Sequence, residues 1–431
     1  MEKIGGGAFD PMMWDGLPGE NLSEENLSEE NLLGKNLLGE DLLGRPQAPI
    51  DNKGIGCLVQ GRVVLITGAG GTIGAELARQ IARLTPKKLV LLDQGEFALW
   101  RIDVELTKYA SLTENASKDS HKIHDIVIAN VRDEQRLDDI MRVFRPELVF
   151  HAAALKHVPI VEANPTEGIL TNVHGTRVVA DAAARYGAQA FVFISTDKAV
   201  NPSGLMGASK RAAEMYCQAW DMCARAKQKA TQKEPQKPPQ KIMRCVTVRF
   251  GNVLESTGSV VPLFRYQLKQ GGPLTVTHPE MCRYFMTVSE AVSLVLQASV
   301  RGTQSYAEGV QTDTLLSRGG IFVLDMGEPV RILDLAQQMI RLAGLVPEKD
   351  IKIRFTGLRP GEKLEEELFH QQEAPVPTDT KGLLMATPRV VDLDKVTQAV
   401  ENMTEAARKG QKKESLQILS QLVPEFVNQN L

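Results

Sequence analysis

Residues 63–76 read VVLITGAGGTIGAE, a five-residue apolar run, a glycine cluster and the start of a helix. Gly68 permits a tight turn, Gly71 lets backbone N–H groups come close to a pyrophosphate, and Gly74 lets the helix pack on the strand. Phosphates placed there meet a helix N-terminus, where the dipole and unpaired donors favour anions. A lone glycine cluster is weak evidence, but this one follows a strand, opens a helix, and is followed by LVLLD at 89–93. That second strand ends in Asp93, which could take ribose hydroxyls. An acid there argues against a 2′-phosphate, so NAD is favoured over NADP, with Arg101 nearby as the opposing signal.

Outward from this loop the chain alternates strands with helices. Val63–Thr67, Lys88–Asp93, Asp125–Ala129, Leu148–His151, Phe191–Ser195 and Cys245–Phe250 have strand length and composition. Ala75–Leu84, Val173–Tyr186 and Gly207–Asp221 have helical patterning. The expected fold is α/β, a Rossmann-type doubly wound parallel sheet with a smaller C-terminal substrate-binding lobe. The expected organisation is a flexible leader over 1–60, a nucleotide domain over 61–250, a mainly substrate-binding lobe over 251–380 with the chain returning to the sheet, and a helical extension over 381–431.

The leader carries Leu at 22, 27, 32, 37 and 42, a five-residue period. On a helix this advances about 140° net per step, so the leucines make no single stripe. Three stretches read as surface insertions: Leu112–Lys122, Thr303–Gly320 and Arg225–Lys241. The last carries six basic residues, one Glu and three prolines with no aromatic, which reads as a solvated loop.

The whole chain, 431 residues with 50 Lys plus Arg against 53 Asp plus Glu, has a formal net charge of −3. That near-balance gives no electrostatic case for nucleic-acid binding. Five cysteines without a Cys-x-x-Cys pair, and seven histidines without ligand spacing, point to a reducing compartment and no metal. No apolar run is long enough for an integral membrane segment and no signal peptide is legible, so the expected location is cytoplasmic.

The second informative block is FVFISTDKAVNPSGLMGASKR at 191–211. A strand ending in Ser195-Thr196-Asp197-Lys198 puts a hydroxyl, an acid and a base at the carboxyl edge of the sheet, where such folds bind ligands. The alternative is a surface turn in which Asp197 and Lys198 only pair with each other.

These motifs, with HAAALKHVP (151–159), VRFGNVL (248–254), GGPLTVTHPEMCRYFMT (271–287), FVLDMGEPVRI (322–332) and GLRPGEKLEEEL (357–368), resemble the extended short-chain dehydrogenase/reductase superfamily. Within it they resemble the polysaccharide-biosynthesis (CapD-like) UDP-N-acetylglucosamine 4,6-dehydratases, from about Asp41 to Phe426. The resemblance implies transient oxidation at carbon 4 of the sugar, loss of the carbon-6 hydroxyl as water, and a 4-keto-6-deoxy product for surface glycans. It implies Thr196 polarising the carbon-4 hydroxyl, Asp197 protonating the leaving hydroxyl, Lys198 removing the carbon-5 proton and Lys210 holding the nicotinamide ribose. Lys198 then needs a lowered pKa, for which burial or the neighbouring Lys156 and Lys210 are the expected cause. Implied cofactor contacts are Gly68, Gly71, Thr72, Ile73, Gly74, Asp93, Asn130, Ala152 and Lys210. Implied UDP-sugar contacts are Lys156, Asn252, Arg283, Arg359 and Glu362. The superfamily pairs the helices around 173–186 and 207–221 in its dimers, so a homo-oligomer is expected.

The chain departs from the family in three places. Met206 replaces the usual Tyr, as in the family's long membrane-anchored branch, whose membrane domain is not legible here. The match to that branch implies a soluble catalytic half and retention at carbon 5. Glu255 and Thr257 stand where Gly and a basic or amide residue are usual, and a carboxylate beside a diphosphate costs affinity unless it turns outward. Asn130 replaces an acid that contacts adenine. Competing readings are a UDP-sugar 4-epimerase and a catalytically inactive NAD/UDP-sugar-binding protein.

Overall fold

A computed structural model describes residues 50–112, 123–232, 242–303, 311–370 and 375–426. Six strands carry the nucleotide half: β1 (Val63–Thr67), β2 (Lys88–Asp93), β3 (His124–Ile128), β4 (Leu148–His151), β5 (Ala190–Ile194) and β6 (Arg244–Arg249). The short strands β7 (Asn252–Val253), β8 (Leu274–Val276), β9 (Cys282–Arg283) and β10 (Phe285–Met286) follow. After them come β11 (Ile321–Leu324), β12 (Val330–Arg331), β13 (Ile353–Phe355), β14 (Val376–Pro377) and β15 (Leu383–Ala386). The main sheet has the order β14-β15-β11-β6-β5-β4-β1-β2-β3, parallel from β3 to β11, with β15 antiparallel to β11 and β14 antiparallel to β15. The fold is therefore the expected doubly wound α/β sheet. Its order reverses between β1 and β4, which opens a crevice at their carboxyl ends.

Both faces of the sheet are covered, and successive residues of one strand point to opposite layers. Leu65, Val90, Leu92, Phe191 and Phe193 pack on one side with Val179, Ala183, Ala212 and Met215. Val64, Ile66, Leu89, Leu91 and Val192 pack on the other with Leu77, Ile81, Val292 and Val295. A smaller apolar cluster of Leu254, Val261, Phe264, Leu274, Leu335, Met339 and Ile351 builds the second lobe.

Several expectations change. The strands β3, β5 and β6 each begin and end one residue earlier than read, because register with β2 and β4 sets their limits: Ile128 lies opposite Asp93 and Ala190 opposite Leu148. Residues 52–59, read as leader, form a helix capped by Asp51, whose Oδ1 accepts from the Gly54 N–H at 3.0 Å. Its Ile55, Leu58 and Val59 are buried in the main core. The repeats lie outside the described residues.

The stretch read as a solvated loop from Arg225 continues the helix Leu205–Gln232 for its first eight residues. Arg225 is buried, since its Nε donates to Asp221 Oδ2 at 2.5 Å and Arg244 shares the same carboxylate. Residues 233–241 and 113–122 lie outside the described residues. Within 303–320 a helix runs Gln311–Ser317 and buries Leu316 in the main core.

The C-terminal region is likewise no appendage. β15 is a strand of the main sheet, and the helices Leu393–Arg408 and Lys412–Leu422 bury Val396, Val400, Met403, Leu416 and Leu419 in the first layer. They pack on residues 165–174 and on the helix Leu205–Gln232, with Arg177 Nη2 donating to Glu401 Oε1 at 2.7 Å.

Candidate active site

The glycine loop lies at the carboxyl end of β1. Gly68 turns with φ of +69°, and a side chain there would meet the backbone of Ala153 at 2.6 Å. A Cβ on Gly74 would stand 2.0 Å from the Gly68 carbonyl oxygen, so helix and strand touch at a spacing only glycine allows. Gly71 opens the helix Thr72–Ala82 without any side-chain cap, which leaves first-turn donors facing the crevice. Asp93 accepts the Gly70 N–H and the Gly95 N–H, each at 3.0 Å, and so fixes the loop from the end of β2. Ala152 lies directly behind Gly68, while Asn130 is exposed and caps the turn at the Arg132 N–H.

Two strands away, the end of β5 brings the reactive groups together. Asp197 is fully buried; its Oδ1 accepts from Thr196 Oγ1 at 2.8 Å and from Lys198 Nζ at 3.0 Å. Its Oδ2 is buried without a hydrogen-bond partner. Lys198 Nζ also donates to Asn252 Oδ1 at 3.0 Å and lies 3.6 Å from Glu366 Oε1. Burial works to lower the Lys198 pKa, but Asp197 and then Glu366 outweigh it and the pKa is raised. This reverses the expectation: the neighbours that decide are the carboxylates, ahead of any lysine. In the resting site Lys198 is an ammonium.

Lys210 behaves differently. Its Nζ donates to the Ile194 carbonyl at 2.9 Å and lies 4.6 Å from the Phe193 ring centre, and burial lowers its pKa to about 8. Four residues before it, Met206 is buried in the apolar layer.

The remaining expected residues are spread around this centre. Lys156 is exposed, with desolvation lowering its pKa. Arg283 is buried and spends its guanidinium on the carbonyls of Cys282, Leu364 and Lys363 at 2.6, 3.1 and 2.9 Å, so it braces a segment of the wall. Arg359 is exposed in a turn that Glu362 closes through the Arg359 N–H at 3.3 Å. That turn is tied below the reactive end of β5 by Ser203 Oγ to the Gly361 carbonyl and by Lys363 Nζ to the Val200 carbonyl. None of Lys156, Arg359 and Glu362 contacts the Thr196–Asp197–Lys198 group.

Two buried acids that bear on this cluster, Glu366 and Glu214, escaped the sequence reading. Glu366 sits within a run of three glutamates, a pattern that reads as solvated, and Glu214 lies mid-helix with no local cue. Glu214 accepts Ser195 Oγ at 2.6 Å and both Arg249 Nε and Nη2 at 2.7 Å, which anchors the residue just before Thr196.

His151, at the end of β4, belongs to the scaffold. Thr176 Oγ1 gives its proton to the Asn172 carbonyl at 2.7 Å, so it must accept from His151 Nε2 at 3.0 Å, and Nδ1 accepts from Thr67 Oγ1 at 2.7 Å. Burial, then Lys210, lowers its pKa from 6.5 to about 3, so the imidazole stays neutral. The unfolded chain binds this proton more readily, so the contribution is full above pH 6.5 and lost as pH falls toward about 3. Within that window one such group changes stability by about 1.4 kcal/mol per pH unit. Urea unfolding at pH 7 and pH 5 is expected to show a dependence one proton shallower in His151→Gln; parallel dependences would contradict it.

In the loop after β7, Glu255 is engaged in an ion pair. This residue adopts φ of +61°, a conformation suited to Gly, and its carboxylate pairs with Arg265 on the outer side of the second lobe. Thr257 N–H donates to Thr72 Oγ1 at 3.1 Å, so the loop latches onto the start of the glycine-loop helix. Glu255→Gly is expected to leave kcat/KM within about threefold, since it relieves positive-φ strain and removes only an exposed ion pair. A tenfold or larger change would show that the carboxylate acts on the substrate.

Among the described residues no helix is long and apolar enough to cross a membrane, and no cluster of three or more His, Cys, Asp or Glu side chains could hold a metal ion. Residues 64–388 match the model of the polysaccharide biosynthesis protein family. The chain is 44% identical over 329 residues to the probable polysaccharide biosynthesis protein EpsC of Bacillus subtilis, covering 76% of this chain and 48% of that one. It is 46% identical over 314 residues to the capsular polysaccharide biosynthesis protein CapD of Staphylococcus aureus, covering 72% and 46%. The chain thus spans about half the length of these two relatives. Among solved structures it resembles Pen from Bacillus thuringiensis, at 27% identity and a TM-score of 0.59 over 80% of this chain and 98% of that one.

Proposed function

The chain belongs to the polysaccharide biosynthesis protein family, and we propose that it is an NAD-dependent 4,6-dehydratase acting on UDP-N-acetylglucosamine. The observation that carries this reading is the Thr196–Asp197–Lys198 cluster, in which one buried carboxylate oxygen accepts from both a hydroxyl and an ammonium. An epimerase needs no acid for a carbon-6 hydroxyl. A dehydratase needs an acid and a base side by side.

The crevice fits a dinucleotide: an uncapped helix start at Gly71, a loop that no side chain narrows at Gly68, and an acid at the end of β2. Gly68, Gly71, Thr72, Ile73, Gly74, Asp93, Asn130, Ala152 and Lys210 would hold NAD there. When bound, NAD would accept the hydride from carbon 4 of the sugar and return it to carbon 6 once water has left. Thr196 polarises the carbon-4 hydroxyl. Lys198, once it has given its proton to Asp197 Oδ1 along their 3.0 Å hydrogen bond, takes the carbon-5 proton. Asp197, now protonated, donates to the departing carbon-6 hydroxyl, so one shared proton serves both steps. Lys156, Asn252, Arg359 and Glu362 line the route for the UDP-sugar, with the Arg359 guanidinium suited to bidentate contact with phosphate. Arg283 holds the wall of that route.

Incubation with UDP-N-acetylglucosamine and NAD in heavy water, followed by NMR and mass spectrometry, tests the reading. A 4-keto-6-deoxy product deuterated at carbon 5 is expected. The galacto isomer without water loss would favour an epimerase, and binding without conversion an inactive binding protein.

A further inference from the structure

The wall segment 363–368 gives its three consecutive glutamates three different surroundings. Glu365 is exposed, Glu367 Oε2 accepts from Lys363 Nζ at 2.9 Å and Asn201 Nδ2 at 3.1 Å, and Glu366 is buried with a side chain 4% exposed. Burying a carboxylate costs several kcal/mol unless charge partners offset it. Those of Glu366 are Lys198 Nζ at 3.6 Å and Arg283 Nη2 at 3.7 Å. The segment is held in place for this by Arg283 on the carbonyls of Lys363 and Leu364 and by the Cys282 N–H on the Leu364 carbonyl at 2.9 Å.

An ammonium has three donors. Lys198 directs one to Asp197 Oδ1 and one to Asn252 Oδ1, each at 3.0 Å, and the remaining charged neighbour is Glu366. From the elements packed around it Lys198 meets Asp197 in its own turn, Asn252 from β7, Glu366 from the wall and, further off, Arg283 from β9. Two anions, both buried, and two cations therefore balance here.

We propose that Glu366 is a positioning residue for Lys198, holding the ammonium between two carboxylates and deciding on which member of the Lys198–Asp197 pair the shared proton rests. The catalytic consequence rests on the dehydratase reading; the proton placement does not. For Lys198 to act as a base, the Nζ–H bond breaks and an O–H bond forms on Asp197 Oδ1, with no change in net charge. Glu366 opposes that transfer, because its charge stabilises the ammonium, and so keeps the site in its resting form.

The test is competitive acetylation of the full chain with acetic anhydride across pH 7 to 12, reading the Lys198 peptide by mass spectrometry. Lys198 is 21% exposed and so accessible to the reagent. In Glu366→Gln its titration midpoint is expected to fall by one unit or more, a tenfold change in its dissociation constant. Glu366→Asp, which keeps the charge but withdraws it, is expected to show a smaller fall in the same direction. An unchanged midpoint in Glu366→Gln overturns the proposal, and if that variant does not fold, an unchanged midpoint in Glu366→Asp does so. No turnover enters this readout, so wild-type protein that labels as expected but leaves UDP-N-acetylglucosamine intact would sink the dehydratase reading alone. In an active enzyme the limb of the kcat/KM profile governed by Lys198 is expected to move to lower pH in Glu366→Gln, with KM little changed.

Discussion

Asp197→Asn is expected to lower the rate of water loss from the sugar by about a thousandfold, the middle of the range for a positioned acid or base. The amide keeps a carbonyl oxygen for the Thr196 and Lys198 donors, so the geometry around the 2.8 and 3.0 Å hydrogen bonds is retained while the proton for the leaving hydroxyl is lost. Lys198 keeps Asn252 and Glu366 but loses the carboxylate oxygen that takes its proton, so carbon-5 exchange with heavy water is expected to fall together with dehydration. Lys198→Met is expected to abolish both exchange and dehydration. Its fold needs checking by circular dichroism, because it leaves two carboxylates close together without their cation. Persistence of exchange without dehydration in Asp197→Asn would show that Lys198 sheds its proton by another route and that the carboxylate serves the leaving group alone.

The largest effect on stability is expected at Glu214. Its carboxylate lies between Arg249, bound twice at 2.7 Å, and Arg211 at 3.2 Å, and all three are buried. Glu214→Ala leaves two guanidinium groups without their anion and is expected to cost about 3–5 kcal/mol, measured as a lowered denaturant midpoint. Replacing Glu214 and Arg249 together by apolar residues of similar volume is expected to cost less than Glu214→Ala alone, since part of the single-variant loss is the desolvated charge left behind. Burial would raise the Glu214 carboxyl, but Arg249 and then Arg211 reverse this and hold it below 4.5. Its contribution is therefore full above pH 4.5 and is lost as pH falls through its lower folded value. A Glu214→Ala midpoint within experimental error of wild type would remove this network from the account of stability.

The amino-acid sequence by itself determined the doubly wound sheet, because strand length, apolar continuity and the glycine positions are local properties. β1, β2 and β4 lie where the apolar runs place them. It also placed Thr196, Asp197 and Lys198 together, since three adjacent residues at a strand end share an edge whatever else the chain does. Only the tertiary structure decided the electrostatics and the covering of surfaces. Glu366 lies 168 residues beyond Lys198 in the numbering, and no pattern within its run of acids marks the one that turns inward. The direction of the Lys198 shift, the outward pairing of Glu255 with Arg265, and the burial of Arg225 by Asp221 all follow from contacts that local sequence does not encode. The stretch 381–431 was legible as helical, yet its place over residues 165–174 and the helix 205–232 was not. An apolar helix face specifies that it will be covered, and tertiary packing selects what covers it.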